Sequence, residues 1–392
     1  MDVREFDFDL PPELIAQEPP RERGGSRLLH LNRASGSIAH TCVSGLPDLL
    51  REGDLVVVND TRVFPARLIG RRVPSGGAVE CLLVRRVPAS PASGSGSEPV
   101  RSAFGAGSEP VRSAFGAGSE PVRNTFGARS ESDAVVWETL VHPGQKLKPG
   151  ARVVFEGIHT IHGEILERRF FGRRLIRLWT DDGSPLDAAI DAIGHVPLPP
   201  YIKRIDSPAD RERYQTVFAR ARGSIAAPTA GLHFTPALLD ALRARGVDVA
   251  AITLHVGYGT FQPVRVARVE EHSIEPEEYE IGAAAAAALE RARADRRRVV
   301  AVGTTTTRTL EHAARARGGA IVPGRGATDL FIYPGFEFRL VGGLLTNFHL
   351  PRSSLLMLVA AFAGAERIRA AYDAAIAEKY RFYSYGDAML IL

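Results

Sequence analysis

The stretch that decides the fold runs from Ala226 to Val264 and reads AAPTAGLHFTPALLDALRARGVDVAAITLHVGYGTFQPV. It combines a short helix and a strand with two polar turns. Thr235 suits a helix N-cap, Pro236 the first helical position and Gly246 a helix C-terminus, so a helix is predicted between them. Residues 247–254 are β-branched and almost wholly apolar, which predicts a strand buried on both faces.

Each polar turn of this stretch carries a histidine among small and hydroxyl-bearing residues. Thr229 and His233 precede the helix, and His255 follows the strand together with Gly257, Tyr258, Gly259 and Thr260. Ligands of open α/β sheets bind outside the carboxyl ends of strands, so a site is expected at the second turn. Hydrogen-bonded, half-buried structural histidines are the more common case. Two histidines in the turns on either side of one helix and strand favour a pocket with acid–base chemistry.

From about residue 195 onward, helical and strand patterns alternate. Strands are predicted at 299–302, 329–333 and 344–350, and helices at 283–297, 308–317, from a Ser353 or Ser354 cap to 362, and to about 379. This order implies a mostly parallel or mixed sheet flanked by helices, hence an α/β fold.

Residues 63–190 have a different texture, with short alternating segments separated by glycine, proline and charged turns. The spacing predicts a small inserted antiparallel β domain, barrel-like or sandwich-like. The larger domain would then comprise 1–62 and 191–392. An 11-residue repeat, GSEPVRSAFGA, recurs at 96, 107 and, as GSEPVRNTFGA, at 118. Its composition predicts a disordered insertion at about 87–133 without a function of its own.

The run Gly303, Thr304, Thr305, Thr306 joins an apolar strand to a helix start. Backbone N–H groups and threonine hydroxyls there suit an anion or a ribose hydroxyl, although ordinary helix capping is the alternative. Arg308 follows on the first helical turn, where a cation opposes the helix dipole. A function that needs the positive charge of Arg308 would explain why a cation stands at this position.

The last quarter of the chain is rich in aromatic residues. Most are expected in the core, but Tyr383 and Tyr385, beside Gly386 and Asp387, could stack against a base. His349 lies in the segment TNFHL with Phe348. A metal site built from the three histidines lacks a tight ligand spacing, so no metal is predicted.

The amino-acid composition limits the classes of protein to which the chain can belong. The chain has 392 residues and a formal net charge of +4, and four of its 49 basic residues are lysine. The charge alone does not indicate RNA binding, although local basic clusters permit it. Two isolated cysteines, Cys42 and Cys81, argue against a disulfide framework and against a cysteine zinc site. The acidic N-terminus and the short apolar run 355–363 lead us to expect a cytoplasmic protein without membrane contact.

Several long segments resemble the S-adenosylmethionine:tRNA ribosyltransferase-isomerase family of queuosine biosynthesis. The segments are APTAGLHF, LHVGYGTFQPV, VGTTTTRTLEH, FIYPGF, TNFHLPRSSLLMLVAAFAG and YRFYSYGDAM. Weaker similarity extends through HVPLPPYIKR, YQTVFA and VVNDTRVFPARL to LPPELIAQEP. The resemblance covers the chain except for about residues 87–133.

The resemblance implies an activity. The family uses S-adenosylmethionine as a ribosyl donor and tRNA with 7-aminomethyl-7-deazaguanine at the wobble position as acceptor. Epoxyqueuosine forms, and adenine and methionine leave. No metal and no obligate protein partner are indicated.

The chemistry implied by the resemblance needs a base for a C5′ hydrogen, a proton for departing adenine, and partners for ribose and the wobble base. His233 and His255 are the leading acid–base candidates, followed by His349 and Asp387. Two positions depart from the family pattern, with Glu275 in place of histidine and Gly342 in place of aspartate. Any role that the family assigns to those positions is in doubt here.

Three other interpretations compete with this one. A methyltransferase with the same donor would need a glycine-rich loop after its first strand and an acidic residue at the end of its second, and neither is clear. A base-exchanging tRNA transglycosylase would need a cysteine-rich zinc site, which two isolated cysteines cannot build. A catalytically silent RNA-binding module would release no adenine from the donor.

Overall fold

The computed structural model describes residues 1–87, 134–261 and 264–392, and within them it leaves the side chains of Phe171, Thr260 and Phe261 undescribed. The repeat segment therefore lies outside the described residues, as does the side chain of the predicted site residue Thr260. Two compact units are formed, one of Met1–Ile69, Glu80–Val84 and Gly194–Leu392, the other of Gly70–Val79 and Arg85–Ile193. The predicted domain division at 62/63 and 190/191 stays a prediction.

The strands are β1 Arg27–Leu31, β2 Ile38–Cys42, β3 Leu55–Asn59, β4 Thr61–Val63, β5 Arg67–Val73, β6 Ala78–Arg86, β7 Val135–His142, β8 Arg152–Phe155, β9 Ile161–Arg168, β10 Arg173–Thr180, β11 Ala221–Ser224, β12 Asp248–Leu254, β13 Glu277–Ile281, β14 Val299–Val302, β15 Gly324–Thr328, β16 Val341–Asn347 and β17 Ala388–Ile391. The helices are α1 Leu46–Leu49, α2 Leu186–Ile193, α3 Asp210–Arg213, α4 Pro236–Ala244, α5 Ala283–Ala294, α6 Thr304–Ala316, α7 Ser354–Ala363 and α8 Ala365–Ala377.

Within the described ranges, the first unit is built on a nine-stranded mixed sheet of order β15-β13-β12-β3-β14-β16-β17-β1-β2. Its centre is parallel, because β12 pairs in parallel with β3, β3 with β14, and β14 with β16. Strand β17 runs antiparallel to β16 and parallel to β1. The carboxyl ends of the four parallel strands therefore meet at one edge of the sheet, and the predicted α/β class with a mixed sheet is confirmed.

Alternate residues of the central strands pack against helices on opposite faces of this sheet. Leu55 and Val57 join a core with α5, α6, α7 and α8, whereas Val56 and Val58 join a core with α1 and α4. A strand buried on both faces needs apolar side chains in both directions. The run Leu55–Val58 meets this requirement.

The opening stretch folds largely as predicted. Thr235 Oγ1 accepts from Leu238 N at 3.0 Å to cap α4, and Gly246 has φ +72° after its last turn. The prediction that β12 is buried on both faces is wrong, because Ala251 is exposed and only Ala250, Ile252 and Leu254 are buried. The small side chain at 251 loses little by facing water.

Two predicted boundaries are wrong as well. Residues 329–333 form no strand, and β15 occupies the preceding residues instead, where Glu277–Ile281 pairs with it. Helix α6 begins at Thr304, four residues before the predicted start. In both cases pairing or packing with distant residues outweighs local preference.

The predicted barrel-like domain is confirmed as a closed antiparallel barrel, with described strands in the order β10-β7-β6-β5-β8-β9. Gly163 of β9 illustrates how tightly its interior is filled. A Cβ at this position would lie 2.8 Å from both Ile176 Cδ1 and Val153 Cγ2.

No helix in the described ranges is long and apolar enough to cross a membrane.

Candidate active site

A cleft of about 670 Å³, part of it open to solvent, lies at the carboxyl edge of the parallel strands in the first unit. Three of its walls follow directly from strand ends, namely Val256 after β12, Gly303 after β14, and Thr346 to Leu350 at the end of β16. Such an edge is where open α/β sheets bind ligands. The lining comprises Tyr201, Ala227, Pro228, Thr229, Ala230, Val256, Gly303, Thr304, Thr305, Thr346, Asn347, Phe348, His349, Leu350, Ser353, Leu355, Tyr383 and Ser384.

The cleft brings together part of the predicted site. The predicted residues in its lining are Thr229, Gly303, Thr304, Thr305, Phe348, His349 and Tyr383. Those outside the described lining are His233, His255, Gly257, Tyr258, Gly259, Thr306, Arg308, Tyr385 and Asp387. Of this second group, His233 and Tyr385 line a smaller cavity of about 290 Å³.

Gly303 allows the chain to turn from β14 into α6. Its φ of +93° lies in a region that favours glycine, and it is the N-cap of the helix. The first-turn N–H groups of α6 have no partners within the helix, so they are available at the cleft wall. Thr306 and Thr307 instead donate their hydroxyls back to Val302 O at 2.7 Å and Gly303 O at 3.1 Å. Only the first two threonines of the run line the cleft.

Arg308 is buried and fully engaged with protein groups. Its guanidinium donates to Glu277 Oε2 at 2.7 Å and to Leu330 O at 2.9 Å. The other carboxylate oxygen of Glu277 accepts from Gly257 N at 2.9 Å. The Arg308–Glu277 pair therefore ties the loop after β12 to α6, and this arrangement explains the buried charge without a ligand.

His349 is the histidine that lines the cleft within the described residues. Its Nε2 lies 2.8 Å from Thr346 Oγ1, and its backbone N–H donates to Tyr372 Oη at 2.8 Å. The side chain is only 8% exposed, and burial lowers its pKa to about 3. The imidazole is consequently neutral near pH 7, and the same burial makes it a weaker base than an exposed imidazole.

His233 lies behind the cleft wall. Its Nδ1 is 3.0 Å from Ser26 Oγ and its Nε2 is 3.1 Å from Nδ2 of Asn347, a cleft residue. Burial, together with the charges of Arg23 and Arg381, lowers its pKa to about 4. It thus touches the cleft through Asn347.

His255 sits beside the two-stranded ribbon of β4 and β11. Its Nδ1 lies 2.9 Å from Thr61 Oγ1, and an added Cβ on Gly223 would come within 2.9 Å of its ring. Burial lowers its pKa, against the opposing charges of Glu278, Asp60 and Glu280. His255 lines neither this cleft nor the smaller cavity beside His233, so a pocket shared by the two histidines stays a prediction.

Asp387 serves the backbone around it. Its carboxylate accepts from the N–H groups of Arg27 at 2.9 Å and Arg381 at 2.8 Å. The side chain is 4% exposed. This placement joins β1 to the segment that enters β17.

Aromatic rings form one side of the cleft. The rings of Tyr201 and Tyr383 lie 4.7 Å apart, and Tyr201 Oη is 2.6 Å from Ser384 Oγ. Tyr383 has φ +74°, an uncommon conformation for a bulky residue. Its N–H donates to Phe348 O at 3.1 Å and its carbonyl accepts from Gly386 N at 3.0 Å, which holds the strained turn at the cleft.

Tyr385 turns away from Tyr383. Its hydroxyl donates to Asp210 Oδ1 at 2.6 Å, and Arg204 binds the same carboxylate at 2.7 Å. Burial, and the hydrogen bond to this carboxylate, raise the pKa of Tyr385. The predicted pair of stacking tyrosines is therefore divided between two sites.

Eleven lining residues were absent from the predicted site, and the polar ones among them are Tyr201, Thr346, Asn347, Ser353 and Ser384. Asn347 ends a strand two residues before His349, and that position was a usable signal. Tyr201 reaches the cleft from a distant proline-rich segment, so sequence spacing carried no signal for it.

The described residues contain no group of three or more His, Cys, Asp or Glu side chains able to hold a metal ion. Cys42 is exposed and Cys81 is buried, and both are free.

A family model described as a queuosine biosynthesis protein matches residues 3–391 of this chain. The chain belongs to the queuosine biosynthesis protein family.

Relatives in this family match over the full length of the chain. A protein from Solibacter usitatus named S-adenosylmethionine:tRNA ribosyltransferase-isomerase is 49% identical over 392 residues, with 100% of both chains covered. One of the same name from Desulfitobacterium hafniense is 45% identical, again with 100% of both covered. The resemblance inferred from the sequence is thereby confirmed, as is the enzyme class of transferase-isomerase.

A crystal structure of an S-adenosylmethionine tRNA ribosyltransferase from Thermotoga maritima is 35% identical to this chain. It covers 99% of this chain and 100% of its own, with a TM-score of 0.49.

The two departures from the queuosine biosynthesis family pattern lie outside the described cleft lining. Glu275 is exposed before β13. Gly342 is near the start of β16, where an added Cβ would lie 3.1 Å from Arg298 Cγ. Gly342 is at the opposite end of β16 from the cleft, and Glu275 is not among the described lining residues.

Proposed function

We propose that this chain transfers and isomerises the ribosyl group of S-adenosylmethionine onto 7-aminomethyl-7-deazaguanine at the wobble position of tRNA. Epoxyqueuosine would form, with adenine and methionine released. One observation carries the proposal. The segments PTA at 228–230, GTT at 303–305, TNFHL at 346–350 and YS at 383–384 lie far apart in the sequence and belong to the family-like motifs, and they converge on the cleft described above.

The cleft has groups suited to each part of such a donor. The first-turn N–H groups of α6 and the hydroxyls of Thr304 and Thr305 suit the ribose and the methionine carboxylate. The aromatic rings of Tyr201 and Tyr383 suit a base. The names of the relatives, which mention S-adenosylmethionine and tRNA, support this assignment.

His349 is the acid–base group that we favour. The sulfonium acidifies the C5′ hydrogens, and a neutral imidazole in the cleft can remove one of them. Its contact with Thr346 would hold the ring in place. Direct acid–base roles for His233, His255 and Asp387 stay predictions, and their positions behind or beside the cleft favour indirect roles.

The acceptor amine must be neutral to attack, and the wobble base must leave the anticodon stack to enter a pocket. A cleft partly open to solvent is compatible with a base entering from a folded tRNA. We assign the tRNA, and S-adenosylmethionine as co-substrate, to this site.

The test is a single-turnover reaction with S-adenosylmethionine and tRNA bearing 7-aminomethyl-7-deazaguanine. We expect adenine and methionine in equal amounts with the modified RNA, and no adenine with the same tRNA carrying guanine. The RNA should gain the mass of an epoxycyclopentanediol group. A gain of one methyl group would instead establish a methyltransferase, and no adenine at all would support a silent RNA-binding protein.

A further inference from the structure

Asn347, at the end of β16, carries an amide oxygen without a donor. The residue lines the cleft and is 2% exposed, and its Oδ1 has no hydrogen-bond partner among the described residues. Buried side-chain acceptors are nearly always satisfied by a protein group or an ordered water molecule. A missing partner in a cleft wall points to a group that the ligand supplies.

The orientation of this amide is determined by its surroundings. Asn347 Nδ2 lies 3.1 Å from Tyr383 O and 3.5 Å from Asp387 O, and both carbonyls can only accept hydrogen bonds. Exchanging the nitrogen and oxygen positions would set an acceptor against two acceptors. The oxygen must therefore occupy the unpartnered position.

His233 reinforces the same orientation. Its Nε2, 3.1 Å from Asn347 Nδ2, must accept, so the proton of the neutral ring is on Nδ1 and is donated to Ser26 Oγ at 3.0 Å. Burial and the nearby charges of Arg23 and Arg381 lower the pKa of His233 to about 4, which keeps the ring in this neutral form. A protonated ring would turn a second donor towards the amide N–H.

We propose that Asn347 Oδ1 accepts a hydrogen bond from the exocyclic amino group of adenine in the bound donor, and that His233 is the positioning residue for this amide. The inference rests on the proposed function. Adenine has one N–H donor group on its base, which matches one fixed acceptor. A guanine-type base would present a ring N–H and a carbonyl as well. The neighbouring Tyr201 and Tyr383 rings provide a stacking surface for the same base.

The experiment compares two ligands on matched variants. S-adenosylmethionine and an analogue with hydrogen in place of the adenine amino group are titrated by calorimetry without tRNA. Wild type should bind the parent about 10-fold tighter than the analogue, as expected for one hydrogen bond to an otherwise unsatisfied group. In Asn347→Ala the ratio of the two dissociation constants should fall to about 1.

Asn59→Ala is the matched control. Asn59 is also buried at a strand end, but its amide is satisfied, with Nδ2 donating to Leu254 O at 2.9 Å and Oδ1 accepting from Thr61 N at 3.1 Å. Its replacement should lower stability and leave the ligand ratio at about 10. A loss of the ratio in both variants would show a general effect of destabilisation and would overturn the assignment to Asn347.

The positioning role of His233 has its own readout. The amide side chain introduced by His233→Gln retains an acceptor for Asn347 Nδ2, so the ratio should persist, whereas His233→Leu should abolish it. If wild type binds both ligands equally, or if the ratio of dissociation constants stays at about 10 in Asn347→Ala, the assignment of Asn347 is overturned. The proposed function is unaffected by either result. Failure of wild type to bind either ligand would contradict the proposed function itself.

Discussion

At the scale of single residues, His349 differs from the other candidate histidines because it is the one in the described cleft lining. We expect His349→Gln to lower the single-turnover rate of adenine release by about 10²–10⁴-fold, the usual contribution of a positioned acid–base group. Donor affinity should change little, since the proton transfer occurs only during reaction. Rapid-quench measurement of adenine, with the thermal midpoint on the same samples, checks this.

His255→Gln serves as the comparison. Because His255 contacts Thr61 beside the β4–β11 ribbon, we expect its replacement to lower the rate less than about tenfold. If both variants fold and the rate falls strongly for His255→Gln but not for His349→Gln, then His255, a leading candidate from the sequence, is the catalytic residue and His349 is not.

The histidines also show how far sequence reasoning reaches at this scale. Their turns could be predicted from cap residues and glycines. The direction of each ring could not, because Ser26 and Thr61, which orient His233 and His255, come from remote parts of the chain. The orphan oxygen of Asn347 likewise depends on carbonyls brought in from residues 383 and 387.

At the scale of elements, the entry into α6 depends on the backbone of Gly303. With φ +93° and ψ 152°, this residue occupies a region that is essentially restricted to glycine. Gly303→Ala should lower the free energy of unfolding by about 1–3 kcal/mol, although an added Cβ would meet nothing closer than Ala230 Cβ at 3.8 Å. Urea titration measures the loss.

Gly282 provides the control, because it is also a helix N-cap but has φ −70° and open space around it. Gly282→Ala should change stability by less than about 1 kcal/mol. Equal losses for the two variants would show that the cost arises from capping and that the conformation of Gly303 is not responsible.

Two of the three glutamates of strand β13 have opposite surroundings. Glu277 and Arg308 form a buried pair, with side chains 7% and 4% exposed, whereas Glu280 and Arg325 are 51% and 85% exposed. Glu277→Gln should cost about 3–5 kcal/mol because it leaves a buried guanidinium without its counter-charge. Glu280→Gln should cost about 0–1 kcal/mol. Denaturant unfolding of both variants tests the contrast, and similar values would contradict it.

Elements with a strong local sequence pattern could be predicted from the sequence. Elements that form because a distant strand or helix packs against them could not. The apolar run of β3 and the capped helix α4 could be identified from the sequence. Strand β15, Gly324–Thr328, has no strand pattern of its own and exists because Glu277–Ile281 pairs with it. Ala251 could not be assigned to an exposed position, since its exposure depends on which helices cover β12.

At the scale of the whole molecule, buried neutral histidines make stability depend on pH. The pKa is lowered from 6.5 to about 4 for His233 and to about 3 for His349. Below pH 6.5 the unfolded chain therefore binds protons that the folded chain excludes, and stability falls as the pH is lowered towards 4. Each histidine contributes up to about 1.4 kcal/mol per pH unit in this window.

The measurement is the free energy of unfolding at several pH values between 6.5 and 5. His233→Gln should reduce the slope by about one histidine's contribution, even if it lowers stability at every pH. An unchanged slope in His233→Gln would show that the ring is protonated alike in both states.

The position of β17 between β16 and β1 bears on how the chain is made. Leu28 pairs with Ala388, so within the described sheet β1 and β2 join the other strands through β17, whose residues come some 360 positions later in the chain. During synthesis on the ribosome, a nascent chain in which β16 has just been translated still lacks β17, the strand that links β16 to β1. Its apolar β1 residues stay without their neighbours until the ribosome has translated residue 391. Long-range closure of this kind slows folding and prolongs the exposure of apolar surface, so nascent chains of this protein are expected to engage chaperones until β17 has been translated.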